Sequence, residues 1–379
     1  MRLRILLINW QDIRHPSHGG AEVHAHEILR RMAAAGHEVT QVSCAFHGGA
    51  REEVIDGVRI FRRGPRPVFN YLVPFLYRTL KEREAFDIVL EDINKIPFYT
   101  PLYVRRPVVA IVHHLFGSAI RLETGRLAAA YVQVAEKLVP RVYRDTRFVA
   151  VSASTQRELA SLGLRCSSED IAYNAVDHEV CYPRPELKSQ RATVGYLGRI
   201  KRYKCLDHLL LALPMIQRAI PEVRLLVVGE GDDRPRLEAM AREMGISERV
   251  QFTGQVTEQQ KAELLNQMWV MVNPSAKEGW GITVLEASAC GVPVVAADSP
   301  GLRDSVVHGQ TGLLYPWGDL KGLTECVCSV LKNKQLRERL GQAGHLWAQR
   351  FSWESSVSRL MEIIEQEMTR SLRGGNLHE

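Results

Sequence analysis

The sequence predicts an α/β protein built from two doubly wound halves, each a mostly parallel sheet covered by helices. Three observations predict it. Short apolar runs alternate with segments of helical periodicity along almost the whole chain, the pattern of repeated βαβ units. The apolar run that opens each half is followed by a glycine-bearing loop, Gly19-Gly20 in the first and Gly198 in the second. The alternation also breaks in a stretch rich in proline and charge, Glu179 to Arg191, and then starts again. The limits so read are 1–180 for the first domain, 181–192 for the linker, 193–352 for the second domain and 353–370 for a last helix.

Leu3 to Asn9 reads as a buried parallel strand because it is a short apolar run ending in polar residues. Ala25, Ile28, Leu29, Met32 and Ala33 recur at helical spacing, Gly36 stops that helix, and His37 to Cys44 is the next strand. Further strands are expected at Asp87–Leu90, Val108–His113 and Phe148–Ser152. After the linker come a strand at Thr193–Leu197, a loop to Tyr203 and a helix from Leu206 to Ile220. Strands at Leu225–Val228, Arg249–Phe252, Trp269–Asn273 and Val292–Ala296 follow, with helices between them. An amphipathic helix from Trp353 to Met368 closes the pattern, and Arg373 to Glu379 are expected to fray.

Composition narrows the function. The 379 residues are 45% hydrophobic and 24% charged, with a net charge of +6. That mild excess suits an anionic small molecule or an acidic membrane surface and is too weak to argue for nucleic acid. The seven cysteines show no metal spacing and read as reduced thiols. The apolar run near Met1 is too short to span a bilayer and lacks a small-residue cleavage site. A cytoplasmic protein is expected, free or at the inner face of a membrane.

The most informative stretch is KEGWGITVLEASACGVPVVAAD, Lys277 to Asp298. A helix is expected from near Gly281 to Gly291, with Gly279 and Gly281 in the turn before it. The free N–H groups near Gly281, Ile282 and Thr283 would form an anion site that glycines let a phosphate approach. Glu286 lies one turn on from Ile282 and faces the same side, within reach of a ribose. Glu278 precedes the helix, where a sugar would project. Two carboxylates flanking a phosphate site fit a sugar–diphosphate–ribose ligand.

This stretch resembles the E-x7-E motif of the retaining GT-B glycosyltransferases of family 4, also called group 1. The resemblance implies two Rossmann-like domains with the donor in the cleft between them, Glu278 on the donor sugar and Glu286 on the ribose. It includes Trp280 with Gly279, Gly281, Ile282 and Thr283 in the donor site. Gly198-Arg199 followed by Lys204 resembles the segment whose Arg and Lys grip the donor diphosphate, although Cys205 stands where the family usually has Gly. VQFTGQV resembles the segment that holds the nucleobase, giving Gly254, Gln255 and Val256. GGAE…GHEVT resembles the amino-terminal motif in which Gly19 and Gly20 approach the donor phosphate. His113, or His114 as the alternative, matches a histidine that ends a strand and touches the donor sugar. The last helix resembles one that crosses back onto the first domain.

Other features stay open between readings. Glu91, Asp92 and Asn94 follow a strand and, with His114, are candidates for the acceptor pocket. His15, His18, His24 and His26 cluster locally, but His24 and His26 would diverge on a helix, so no metal site is expected. Arg59 to Arg83 holds seven cations against one acid, interleaved with five aromatics. It reads first as a solvated helix face over the first core, and second as a peripheral membrane contact with a lipid-linked acceptor. The co-substrate expected is a nucleotide sugar, UDP-linked ahead of GDP-linked, with no cofactor and no metal requirement. A dinucleotide-binding oxidoreductase would need a third glycine that neither loop supplies. An epimerase, a phosphorylase and a non-catalytic nucleotide-sugar-binding subunit remain as rivals, because fold alone does not fix chemistry.

Overall fold

The computed structural model describes residues 2–94 and 96–375. The chain forms two compact units. One comprises residues up to 120, 125–174 and the segment from Trp353; the other comprises 121–124 and 175–352.

The first unit contains β1 (Arg4–Ile8), α1 (Gly20–Ala34), β2 (Glu38–Ala45), β3 (Glu52–Ile55), β4 (Val58–Pro65), α2 (Phe69–Arg83), β5 (Ile88–Ile93), β6 (Val108–Val112), α3 (Arg126–Val142), β7 (Arg147–Ala150) and α4 (Ala153–Ser161). Its sheet runs β3-β4-β2-β1-β5-β6-β7. Every pair is parallel except the β3–β4 edge hairpin. The second unit contains β8 (Thr193–Leu197), α5 (Leu206–Ala219), β9 (Arg224–Val228), α6 (Arg234–Glu243), β10 (Val250–Phe252), α7 (Glu258–Gln267), β11 (Val270–Asn273), α8 (Ile282–Ala289), β12 (Val294–Ala297), α9 (Leu302–Ser305), β13 (Gly312–Tyr315), α10 (Leu320–Lys332) and α11 (Lys334–Ala348). Its sheet runs β10-β9-β8-β11-β12-β13, all parallel. The α/β fold of two doubly wound sheets is as the sequence predicts.

The last helix, α12 (Trp353–Gly375), belongs to the first unit. Leu360, Ile363 and Ile364 share a buried core with Ile28, Leu29 and Met32 of α1, and Arg31 Nε meets Glu354 Oε1 at 2.9 Å. The helix runs past Met368 and through Arg373; residues 376–379 of the expected frayed tail lie outside the described residues.

Two departures from the sequence reading have local causes. The short strand β13 lacks a long apolar run. The stretch Arg59 to Arg83 is not one helix face: Arg59, Arg62 and Arg63 lie on β4, and α2 begins only at Phe69. Asp56 and Gly57, both at positive φ, make a two-residue turn between the paired residues Ile55 and Val58. That is the geometry a β-hairpin favours, and the Asp-Gly pair was its signal. The side chain of Arg83 lies outside the described residues.

Arg62 is no surface cation. Its guanidinium is wholly buried, bonded to both Asp12 carboxylate oxygens at 2.7 Å and to Glu53 at 2.5 Å. Burial alone would raise the Asp12 carboxyl, but the bonds and charge of Arg62 reverse this and hold it below its ordinary value. Arg62→Met is therefore expected to cost about 3–5 kcal/mol at neutral pH, because it strands buried carboxylates. A carboxyl with a depressed folded pKa contributes stability above its unfolded pKa of about 3.9 and loses it as pH falls through the folded value. Urea unfolding of both proteins across pH 7 to 3 should show the gap closing at the acid end.

Candidate active site

In each sheet the chain winds outward from one central strand and returns on its other side. Ligands bind at the carboxyl ends of the two strands that flank this reversal. In the second unit those strands are β8 and β11. The loop after β8 is fastened to the loop after β9 by Ile200 N–H donating to Glu230 O at 2.9 Å and Asp233 N–H donating to Ile200 O at 3.2 Å. A Cβ at Gly229 would sit 2.1 Å from Gly198 O, and one at Gly231 would sit 2.0 Å from Ile200 O. The glycines of VVGEG are thus there for close backbone approach.

This platform carries Arg199, exposed, and Lys204, mostly buried. Lys204 Nζ meets Glu278 Oε1 at 2.5 Å, across from the loop that follows β11. Burial alone would lower the Lys204 pKa, yet the Glu278 charge raises it, so the amine stays cationic at neutral pH. Glu278 also accepts from Ser275 Oγ at 2.8 Å and lies 3.5 Å from Asn273 Nδ2. Its backbone N–H donates to Pro300 O at 3.1 Å, and a Cβ on Gly301 would meet Glu278 O at 2.3 Å. Cys205 takes the left-handed conformation, φ 51°, immediately before α5. The residue thus adopts the backbone that glycine adopts most easily.

Gly281, at φ 92°, caps α8, whose first N–H groups, on Ile282 and Thr283, have no intrahelical acceptor by helix geometry. Gly279 precedes it. Trp280 enters differently from the sequence expectation: its ring is buried and packs 5.1 Å from Phe351, so only its backbone accompanies the helix start. Glu286 is on the second turn of α8 and is held by Lys261 Nζ at 2.6 Å. Gly254 is buried at φ 74°, with Gln255 exposed and Val256 half-buried just before the α7 cap Thr257.

In the first unit the reversal lies between β1 and β5. Gly19 precedes α1 and Gly20 begins it; Gly19 N–H donates to the buried Glu22 carboxylate at 2.7 Å. Asp92 is buried at the end of β5, accepting from Asn9 Nδ2 at 3.1 Å and lying 3.4 Å from His113 Nε2. The His113 ring stands edge-on to His24 at 5.0 Å. Burial and then the His113 charge hold His24 well below the usual histidine pKa, so it is neutral at pH 7. Among the described residues, Asn9 Oδ1, Asp92 Oδ1, His113 Nε2 and both His24 nitrogens have no hydrogen-bond partner despite burial. Buried polar atoms are rarely left so, and a set of them at the carboxyl edge of one sheet singles this place out.

Glu91 is a correction. It faces away from Asp92 on the same strand, is fully buried, and accepts from Phe98 N–H at 2.7 Å, Tyr143 OH at 2.6 Å and Thr100. Burial pushes its carboxyl up, and those bonds pull the other way. Its work is to tie a loop. Asn94 is half-buried beyond β5, and the His114 ring packs against Phe116, tilted by 54° with centroids 4.5 Å apart. The histidines disperse: His15 bonds Gln11, His26 bonds Asp56, and no cluster of metal-ligating side chains occurs among the described residues. Sequence reading missed Asn9, His24, Asn273, Ser275 and Lys261. Asn9 and Asn273 end strands at the ligand edge, and His24 is one turn from Gly20, so strand ends and helical spacing were the available signals.

Residues 18–180 match the family described as Glycosyltransferase Family 4, and residues 182–347 match Glycosyl transferases group 1. The chain belongs to these group 1, family 4 glycosyltransferases. Phosphatidyl-myo-inositol mannosyltransferase of Mycobacterium leprae is 36% identical over 179 residues, 47% of either chain. The GDP-mannose-dependent alpha-(1-6)-phosphatidylinositol monomannoside mannosyltransferase of Mycolicibacterium smegmatis is 30% identical over 61% of this chain and 65% of its own. The chain thus spans about half to two thirds of the length of these two curated relatives. Sucrose-phosphate synthase from Thermosynechococcus elongatus shares the fold, with a TM-score of 0.84 at 22% identity, over 97% of this chain and 100% of that one. The family fold therefore extends across both units.

The Cys205 conformation can be tested by stability. Cys205→Gly and Cys205→Ala both lose the thiol, but only glycine relieves the positive φ. The glycine variant is expected to be the more stable by about 1 kcal/mol in chemical denaturation.

Proposed function

We propose that the protein transfers a hexosyl group from a nucleoside diphosphate sugar, UDP- or GDP-linked, to an acceptor hydroxyl with retention at the anomeric carbon. The observation that carries this reading is the Lys204–Glu278 pair, 2.5 Å apart beside the start of α8. In this reading Arg199, Lys204 and the first N–H groups of α8 take the diphosphate, neutralising it as it leaves, without calling on a metal. Glu278 holds the sugar hydroxyls, and Glu286, braced by Lys261, holds the ribose. Gly254, Gln255 and Val256 border the base. Gly19 and Gly20 allow close approach to the donor phosphates, and His113 contacts the donor sugar. Asp92, with Asn94 at the end of the same strand, borders the acceptor, a saccharide, lipid-linked saccharide or small molecule.

The bond from the anomeric carbon to the phosphate oxygen breaks, and the bond to the acceptor oxygen forms on the same face. The acceptor proton passes to the leaving phosphate. The protein contributes position and charge stabilisation rather than a covalent nucleophile.

Glu278→Gln and Lys204→Ala are each expected to lower kcat/KM by about a hundredfold or more, while Glu286→Gln should chiefly raise the donor KM. Undiminished transfer by Glu278→Gln would sink the assignment. Analysis of products with and without acceptor separates transfer from epimerisation and phosphorolysis. A nucleotide at a hundred times its dissociation constant should stabilise the fold by about 2.7 kcal/mol. Thermal unfolding with UDP, GDP and ADP therefore reads out the base, and no shift with any of them would favour a protein that does not use nucleotide sugars.

A further inference from the structure

Among the described residues no element covers the face formed by α2 and α3, although it is built like a surface meant to be covered. α3 buries Ala129, Val132, Ala135 and Val139 against the first core. Its opposite side carries Leu127, Tyr131, Val134 and Leu138, all exposed, Leu127 at 89%. Their spacing of four, three and four residues draws one stripe along the helix. α2 adds Tyr71 and Phe75, the latter 71% exposed. Tyr71 and Tyr131 hydroxyls bond at 2.6 Å, so the two stripes adjoin. A contiguous exposed apolar patch of this kind marks an interaction site rather than ordinary surface.

The surrounding charge selects the occupant. Arg66, Arg78, Lys81, Arg126, Lys137 and Arg141 are exposed on or beside these helices. The described acidic side chains of the two helices are Glu82, 3.6 Å from Arg78, and Glu136, turned inward onto the N–H groups of Phe116 and Gly117. A second copy of this face would oppose cation to cation. Apolar side chains ringed by cations fit an anionic lipid surface, where rings and leucines enter the interface and lysines and arginines meet headgroups. No described helix is long and apolar enough to cross a membrane, so such contact would be peripheral.

Position gives the patch a purpose. α2 joins β4 to β5 and α3 joins β6 to β7, each between parallel strands, so both helices start at the carboxyl edge of the sheet. That edge carries Asp92 and His113. We propose that the α2–α3 face docks on an anionic bilayer, which would set the sheet edge that carries Asp92 and His113 beside the lipid surface and suit an acceptor whose anchor stays in the membrane. The docking does not depend on the transferase reading, because it requires no turnover.

The test is flotation of the full chain with phosphatidylcholine vesicles, with and without phosphatidylglycerol. The wild type is expected to float with the anionic vesicles, less at high salt, and not with the neutral ones. Phe75→Ser with Leu127→Ser should weaken partitioning by about tenfold or more, and Arg126→Glu with Lys137→Glu by about fivefold or more per site. The thermal midpoint, followed for each variant, should be unchanged; if the apolar pair fails to fold, the charge pair decides. Absence of flotation by the wild type, or flotation that neither variant weakens, overturns the proposal. A wild-type dimer in sedimentation velocity that the serine pair dissolves, without vesicle binding, would give the face to a second copy and overturn it too.

Discussion

The contact between Lys204 and Glu278 organises the second unit. Parallel winding delivers the ends of β8 and β11 to one edge, but it leaves their loops as separate strips of backbone. The ion pair joins them, with Ala276 N–H donating to Tyr203 O at 3.1 Å, and the surrounding detail keeps it possible. Gly198, Gly229 and Gly231 let the first loop lie flat against its neighbour, and the left-handed Cys205 turns it into α5. Asn273, Ser275 and Gly301 hold the second loop. A cation and an anion that neutralise one another before ligand arrives can also be shared with it. In the proposed function the diphosphate would replace part of what Glu278 gives Lys204, and hydroxyl groups would replace part of what Lys204 gives Glu278. Neither charge then has to be buried alone at any stage.

The first unit solves the matching problem differently. Its ligand edge is made of uncharged or singly charged side chains whose polar atoms outnumber their partners: Asn9, His24, Asp92 and His113. Its buried ion pairs, among them Arg62 with Asp12 and Glu53 and Arg147 with Asp170, tie segments of the fold together. In the proposed function the two units divide the work by charge, the second taking the diphosphate and the first the hydroxyl groups.

The sheet pattern was legible because parallel strands buried on both faces must be short apolar runs, and two or more turns of helix between most of them leave a clear period. Thr193–Leu197 was read to the residue. Glu278 and Glu286 stood out in the sequence by their spacing about a glycine-flanked helix start, and Lys204 by the family resemblance; the structure brings Lys204 and Glu278 together. What was hidden depended on facing. Glu91 and Asp92 are neighbours in sequence, yet strand alternation sends one into a loop and the other to the ligand edge. Trp280 was hidden for the same reason, since a ring beside a binding loop can turn inward. Arg62 resembled its basic neighbours until its strand placed it over Asp12. The exposed stripe of α3 was hidden because outward leucines and inward valines look alike in a list of apolar residues.

One feature bears on how the molecule comes into being. The first unit is closed by α12, the last helix of the chain, whose Leu360, Ile363 and Ile364 complete a core begun by Leu3 and Ile5. The second unit is nearly continuous in sequence, from Ala175 to Ser352. During synthesis the later unit therefore has all its strands before the earlier one has all its core. The nascent first sheet must wait, with part of its α1 surface open, until the ribosome has passed residue 364. A polypeptide that stops short of α12 therefore carries an unsealed apolar surface, the kind that chaperones and proteases recognise.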